Sequence, residues 1–166
     1  MKYLLDANTY IQAKNLYYNM DFCPAYWDWL DLQCQNGLIA SIDQVGRELR
    51  DGNDELASWT AQRAHHFLDN TDQVTQSNFV LIAKKVMEGN FNPANRDLFL
   101  AKADPWLIAK AMTLGATVVS NESHVDALSR KVKVPNICQA FDVPCISTFK
   151  LLKLVQARFV LPKDQA

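Results

Sequence analysis

Three short apolar runs constrain what this chain can fold into. Tyr3 to Leu5, Leu38 to Ile42 and Thr117 to Val119 have the length and composition of buried strands, and long stretches of helical periodicity separate them. Strands alternating with helices favour a mostly parallel central sheet, since parallel neighbours need crossover connections and helices supply them on both faces. The first run stops on Asp6, and the third continues through Ser120 and Asn121 to Glu122. An ionised carboxylate is costly to bury. An acid directly after a buried strand therefore either caps the next helix or belongs to a polar site at the sheet edge.

Between the runs, caps and stops mark the helices. Thr9 to Tyr18 is an imperfect helical pattern, and Pro24 suits the first turn of a helix carrying Tyr26, Trp27, Leu30 and Cys34, which Asn36-Gly37 ends. Ser41 with Gln44 matches a capping box, predicting a helix from Ile42 through Val45 and Leu49 to about Arg50. Asn53 is expected to cap a helix reaching about Leu68, with His65-His66 at its surface and core edge. Thr71 to Met87 reads as helix, with Asn78 to Ala83 open to a strand, and Asn92-Pro93 starts a short helix to about Phe99. Asp104-Pro105 opens the best-defined helix, closed by Leu114-Gly115, and Asp104 is a good N-cap there. Val143 to Ser147 reads as a last strand and Thr148 to Val155 as a last helix.

Composition narrows the function classes. At 166 residues, 49% apolar and 21% charged, the chain is long enough to bury a core without disulfide or metal staples, and no repeat or linker divides it, so one domain over residues 1–166 is expected. A formal net charge of -1 argues against a protein that coats DNA, and leaves any nucleic-acid partner to a local patch. Cys23, Cys34, Cys138 and Cys145 lack C-x-x-C spacing and read as reduced thiols. With no cationic leader and no bilayer-length apolar run, a cytoplasmic protein with no membrane contact is expected.

The acids carry the chemistry. Asp6 and Glu122 end strands, Glu48 lies two turns into the helix leaving the second strand, and Asp104 starts the helix that leads to the Glu122 strand. If they converge, their mutual repulsion raises several pKa values unless a cation neutralises it. Oxygen ligands without neighbouring His or Cys suit Mg²⁺ or Mn²⁺, and such a centre suits hydrolysis of phosphodiesters. Arg130, Lys131 and Lys133 follow the Glu122 strand and read either as phosphate-binding cations or as a lysine-protected edge strand, with Lys102 and Lys110 as further candidates.

Leu4-Leu5-Asp6-Ala7-Asn8, Ser41 to Leu49 with Glu48, Ala103-Asp104-Pro105-Trp106-Leu107-Ile108-Ala109 and Val118-Val119-Ser120-Asn121-Glu122 follow, in order, the four motifs of PIN-domain ribonucleases. The chain resembles this superfamily over almost its whole length, and most closely a PIN-like group similar to the toxin subunits of bacterial toxin–antitoxin pairs. The resemblance implies a three-layer α/β/α PIN-like fold with a central mostly parallel sheet. It also implies a metal-dependent endoribonuclease acting on single-stranded RNA, with Mg²⁺ or Mn²⁺ as cofactor, a cognate antitoxin as protein partner and a homodimer. By motif position Asp6, Glu48, Asp104 and Glu122 would be the catalytic, metal-binding acids, and Asn8 and Ser120 would orient carboxylate or substrate. The superfamily usually has Asp where this chain has Glu122, whose extra methylene changes its reach.

Two other readings stand beside this one. A phosphotransferase of the haloacid-dehalogenase kind also places Asp after the first strand, but it would need a second Asp where this chain has Asn8, and a catalytic Lys before a late acidic pair. A catalytically degenerate PIN-like module that binds RNA or protein would keep the fold without taking up metal.

Overall fold

The computed structural model describes residues 1–126 and 128–160. Strands β1 (Tyr3–Leu5), β2 (Ile39–Ile42), β3 (Phe67–Leu68), β4 (Thr117–Val119) and β5 (Cys145–Ile146) form one sheet in the order β3-β2-β1-β4-β5, and every neighbouring pair is parallel. The helices are α1 (Ala7–Gln12), α2 (Pro24–Gln35), α3 (Asp43–Arg50), α4 (Glu55–Ala61), α5 (Gln73–Glu88), α6 (Pro93–Ala101), α7 (Asp104–Leu114), α8 (Val134–Ala140) and α9 (Thr148–Leu154). A π-helical turn, Ala13–Tyr17, continues α1.

The chain steps from β1 to β2 to β3 in one direction. It then returns through α5, α6 and α7 to β4, on the other side of β1. Crossovers in opposite directions cover both faces: α3 packs with α1 and α4, while α7 packs with α5, α6 and α8. The result is a three-layer α/β/α architecture. Its topological switch point lies between β1 and β4, the place where open parallel sheets carry their sites.

Burial on both faces explains the uncharged strands. Leu4, Leu5, Ile39, Ala40 and Ile42 are all buried, and Leu107 and Ile108 of α7 are buried in the same core. Among its cores lies an aromatic cluster in which Tyr10, Trp59, His66 and Phe67 meet, and the Tyr10 hydroxyl lies 2.8 Å from His66 Nε2. Burial pushes the His66 pKa down to about 4, so the imidazole is neutral at physiological pH.

Several local expectations give way to tertiary pairing. Ser41 does not cap a helix; it lies within β2, and its hydroxyl donates to the Leu5 carbonyl at 2.6 Å. Gln44 accepts instead from the Asn70 side chain, 2.7 Å away. The cap after Gly52 is Asp54, which accepts from the Ala57 amide at 3.0 Å, whereas Asn53 takes a left-handed φ of 50°. The helix expected to reach Leu68 stops at Ala61, because Phe67 and Leu68 pair with Ser41 and Ile42 as an edge strand. Asn78 to Ala83 lies inside the continuous α5. The basic stretch is not an edge strand: residues 130–133 are irregular, and Val134 begins α8 with Pro135 in its first turn.

Replacing Tyr10 with Phe would leave His66 Nε2 buried without a partner, and His66 Nδ1 already has none. The expected cost is about 1–3 kcal/mol in urea unfolding, with no change in secondary structure by circular dichroism.

Candidate active site

Asp6 leaves β1 at the switch point. Its amide donates to the Val119 carbonyl at 2.9 Å, which extends the β1–β4 pairing by one rung. It occupies the N-cap position of α1, yet its side chain makes no capping hydrogen bond. The carboxylate, only 3% exposed, turns across the sheet edge: Oδ2 accepts from Ser120 Oγ at 2.8 Å and from Asn8 Nδ2 at 2.5 Å. Asn8 Nδ2 also donates to Ser120 Oγ at 3.1 Å, and Asn8 Oδ1 accepts from the Asn121 amide at 3.0 Å. The two-residue step from Asp6 to Asn8 therefore puts both side chains on one bracket that ties the end of β1 to the end of β4. Asn121 extends it by accepting from the Thr148 amide, 3.0 Å away at the start of α9.

The remaining acids approach from three other elements. Glu48, half-buried on α3, accepts from the Ala103 amide at 2.9 Å and so joins α3 to the start of α7. Asp104 is not the N-cap expected from the sequence: Ala103 occupies that position and Asp104 is the first residue of α7, so capping does not account for its carboxylate. Glu122 is engaged twice: Oε1 accepts from Lys133 Nζ and Oε2 from the Val134 amide, at 2.8 and 2.9 Å. Of the cations considered for phosphate binding, Lys133 thus serves as a partner for Glu122. Arg130 and Lys131 are exposed, Lys110 pairs with Asp72 at 2.7 Å, and Lys102 is near enough to Asp104 to favour its ionised form.

The charges report on one another. Burial lifts the Asp6 pKa to about 6, with the Ser120 hydrogen bond opposing the rise and Glu122 adding to it. Burial lifts Asp104 further, to about 8, and the charges of Asp6, Glu122 and Glu48 all push in the same direction. All four acids thus share one electrostatic neighbourhood. Among the described residues no three acid, His or Cys side chains form a ready-made ligand cage. The donor set nonetheless fits a hard divalent cation of the Mg²⁺ class, which takes one or two carboxylates and keeps several waters. Asp6 and Asp104 are the carboxyls that burial and neighbouring acids lift above the ordinary range.

Some features of the site carry no local sequence signal. A cavity of about 370 Å³ opens at the ends of β4 and β5, where Ser120, Asn121 and Glu122 meet Gln12, Tyr17 and Phe149. Those last three residues come from the first and last parts of the chain, and only the fold brings them together. The pairing of Glu122 with Lys133 is equally invisible in the sequence, although an acid and a cation on either side of a loop are a hint.

The raised carboxyls have a sign that can be tested. Between pH 6.5, the ordinary His value, and pH 8, the unfolded chain sheds the rest of the His66 proton that the folded chain does not bind, so that opposing contribution fades, while folded Asp104 still holds a proton that the unfolded chain has lost. Stability of metal-free protein therefore falls as pH rises through that window. Scanning calorimetry should show this fall. The Asp104→Asn variant should lose the slope and melt higher than the parent at pH 8.

Comparison with known proteins bears on the fold and the family. No curated protein gives a significant sequence match. Among solved structures, a chain in the crystal structure of VapBC2 from Rickettsia felis bound to a DNA fragment from their promoter is similar over 89% of this chain and 98% of that chain, with 16% identity and a TM-score of 0.56. At that identity the likeness is one of fold, and the parallel α/β/α arrangement is PIN-like. Residues 3–159 match the family described as a domain of unknown function, DUF4411, and the chain belongs to that family.

Proposed function

We propose that this protein is a metal-dependent endoribonuclease of single-stranded RNA and acts as the toxin of a toxin–antitoxin pair. The bracket that holds Asp6 at the switch point carries the reading: Ser120 and Asn8 fix its buried carboxylate, and the charges of Asp6, Glu48 and Glu122 all act to raise Asp104, the first residue of α7. The PIN-like likeness to VapBC2 supports it, and supports an antitoxin as protein partner. A cytoplasmic setting belongs to the same proposal; no described helix is long and apolar enough to cross a membrane.

Asp6 and Asp104 would hold Mg²⁺ or Mn²⁺, with Glu48 and Glu122 adding negative potential around them. Once bound, the ion supplies Lewis acidity and a more acidic water for hydrolysis of a phosphodiester. Ser120 and Asn8 fix Asp6 Oδ2, so this carboxylate is positioned before any ligand arrives. Glu48 fixes the start of α7 through the Ala103 amide, and with it the backbone that carries Asp104. At neutral pH Asp104 holds its proton at the carboxyl, and it would release that proton when a cation replaces it. Lys102, beside Asp104, is the cation best placed to meet a phosphate.

A second reading, a degenerate PIN-like binding module, draws on a specific observation. Both carboxylate oxygens of Glu122 already accept from Lys133 and the Val134 amide, which leaves one acid fewer for a cation. Calorimetric titration with Mn²⁺ separates the two: uptake that Asp104→Asn abolishes supports the nuclease, and no uptake supports the module.

Purified protein is expected to cleave single-stranded RNA with Mg²⁺ or Mn²⁺ and to stop in excess chelator. Asp6→Asn and Asp104→Asn should each lower the rate by about two orders of magnitude or more while the fold survives. Glu122→Gln should cost less, because that side chain is already tied to Lys133. Undiminished cleavage in chelator would overturn the proposal.

A further inference from the structure

The cavity beside the acids contains more than the acids require. Tyr17 and Phe149 stand at its mouth, 50% and 45% exposed, with ring centroids 5.2 Å apart and an edge-to-face angle of 75°. Neither ring is core. Tyr17 ends the π-helical turn, in which the Tyr18 amide reaches back five residues to the Ala13 carbonyl at 2.7 Å. Short π insertions of this kind recur at functional sites because they re-aim a side chain. Phe149 lies in the first turn of α9, whose start is tied to the acidic centre through Asn121 and the Thr148 amide. The two rings thus sit on helices that begin at the bracket holding Asp6: α1 carries Asn8 and runs on into the π turn of Tyr17, and α9 starts at the Thr148 amide bound by Asn121.

The surroundings favour a nucleic-acid strand over a protein segment. From Thr148 to Val160 the chain carries Lys150, Lys153 and Arg158 and no acid, and no ion pair among the described residues engages these three cations. Glu122, the acid lining the cavity, is itself partnered by Lys133. Two aromatic rings and the polar side chains of Gln12 and Asn121 line the cavity, and Lys153 and Arg158 line a neighbouring hollow that shares Phe149; together they match the needs of an unpaired base: a stacking surface, edge hydrogen bonds and cations for the backbone. A cavity of about 370 Å³ lies within the usual range for small-ligand sites.

We propose that Tyr17 and Phe149 form a stacking subsite for one unpaired nucleobase of the RNA, adjoining the acidic centre, with Lys150 and Lys153 along the path of the backbone. The proposal rests on the nuclease reading for the identity of the strand. It makes preference for single-stranded RNA a property of this subsite, since a base within a duplex has no free face to offer.

The test is fluorescence anisotropy with a short fluorescein-labelled single-stranded RNA, on full-length protein carrying Asp104→Asn so that the strand stays intact. In that background Tyr17→Ala and Phe149→Ala should each weaken binding roughly tenfold, as loss of a base-stacking ring does. Tyr17→Phe should stay close to the parent. Phe149→Leu, which keeps apolar volume but not the aromatic face, should weaken binding as Phe149→Ala does, and melting temperatures confirm that each variant is folded. A duplex of the same sequence should show no dependence on either ring. Equal affinity of parent and alanine variants for the single strand, or no binding by the parent, overturns the subsite. Rings required instead for a Leu- and Arg-rich helical peptide, and not for RNA, reassign the surface to a protein partner and also overturn it. The two readings fail separately. RNA binding that needs both rings, in a protein that cleaves nothing, removes the nuclease and leaves the subsite. Cleavage with an unchanged KM in the Tyr17→Ala, Phe149→Ala double variant of the otherwise native chain removes the subsite and leaves the nuclease.

Discussion

The buried carboxylate of Asp6 is the group on which the arrangement of the sheet edge depends. Burying an ionisable carboxyl is tolerable only when hydrogen bonds or a cation compensate it. Here Ser120 and Asn8 supply the hydrogen bonds, and Asn8 simultaneously accepts from the Asn121 amide. Because Ser120 and the Asn121 amide come from the end of β4, satisfying Asp6 and Asn8 also fixes how β4 lies against β1. Asn121 passes the constraint on to α9 through the Thr148 amide. A single local need for compensation thus positions three elements around the switch point.

The same edge concentrates charge that the protein only partly offsets. Lys133 and the Val134 amide hold Glu122, and the Ala103 amide holds Glu48. At Asp104 the charge of Lys102 is outweighed by burial and three acids. Its raised pKa is therefore a consequence of topology: crossovers on both sides of β1 deliver acids from separate elements to one crevice. Native proteins retain such unfavourable clusters where function uses them, and the metal-free fold bears the strain as reduced stability at higher pH. The graded compensation also sorts the four acids, with Asp6 and Asp104 innermost and Glu48 and Glu122 serving partly as structural links.

The segments that depart from their local pattern share a cause. Ser41 and Gln44 satisfy the spacing of a capping box, but Ser41 is held in β2 by pairing with Phe67 and by its bond to Leu5, interactions remote in sequence. Phe67 and Leu68 look helical in isolation and become a strand only because β2 offers them an edge. Arg130 to Val134 alternates like a strand, yet Lys133 is drawn to Glu122 and Val134 begins a helix whose first amide also meets Glu122. In each case a long-range partner outweighed a propensity worth a fraction of a kcal/mol.

The sequence by itself determined the alternation of buried strands and helices, hence a parallel sheet covered on both faces, because burial on two faces demands uncharged runs and parallel pairing demands crossovers. It also determined which acids stand at strand and helix ends, and so which residues were candidates for one site. Only the tertiary structure decided the strand order that puts β1 beside β4, and with it the meeting of Asp6 and Ser120, which stand 114 residues apart. It alone decided that Glu122 pairs with Lys133, that Asp104 makes no such pair among the described residues, and that Tyr17 and Phe149 flank the same crevice. The physical reason is that propensity and pattern act over a few residues, whereas compensation of a buried charge and stacking of exposed rings depend on neighbours that the chain supplies only after it has folded.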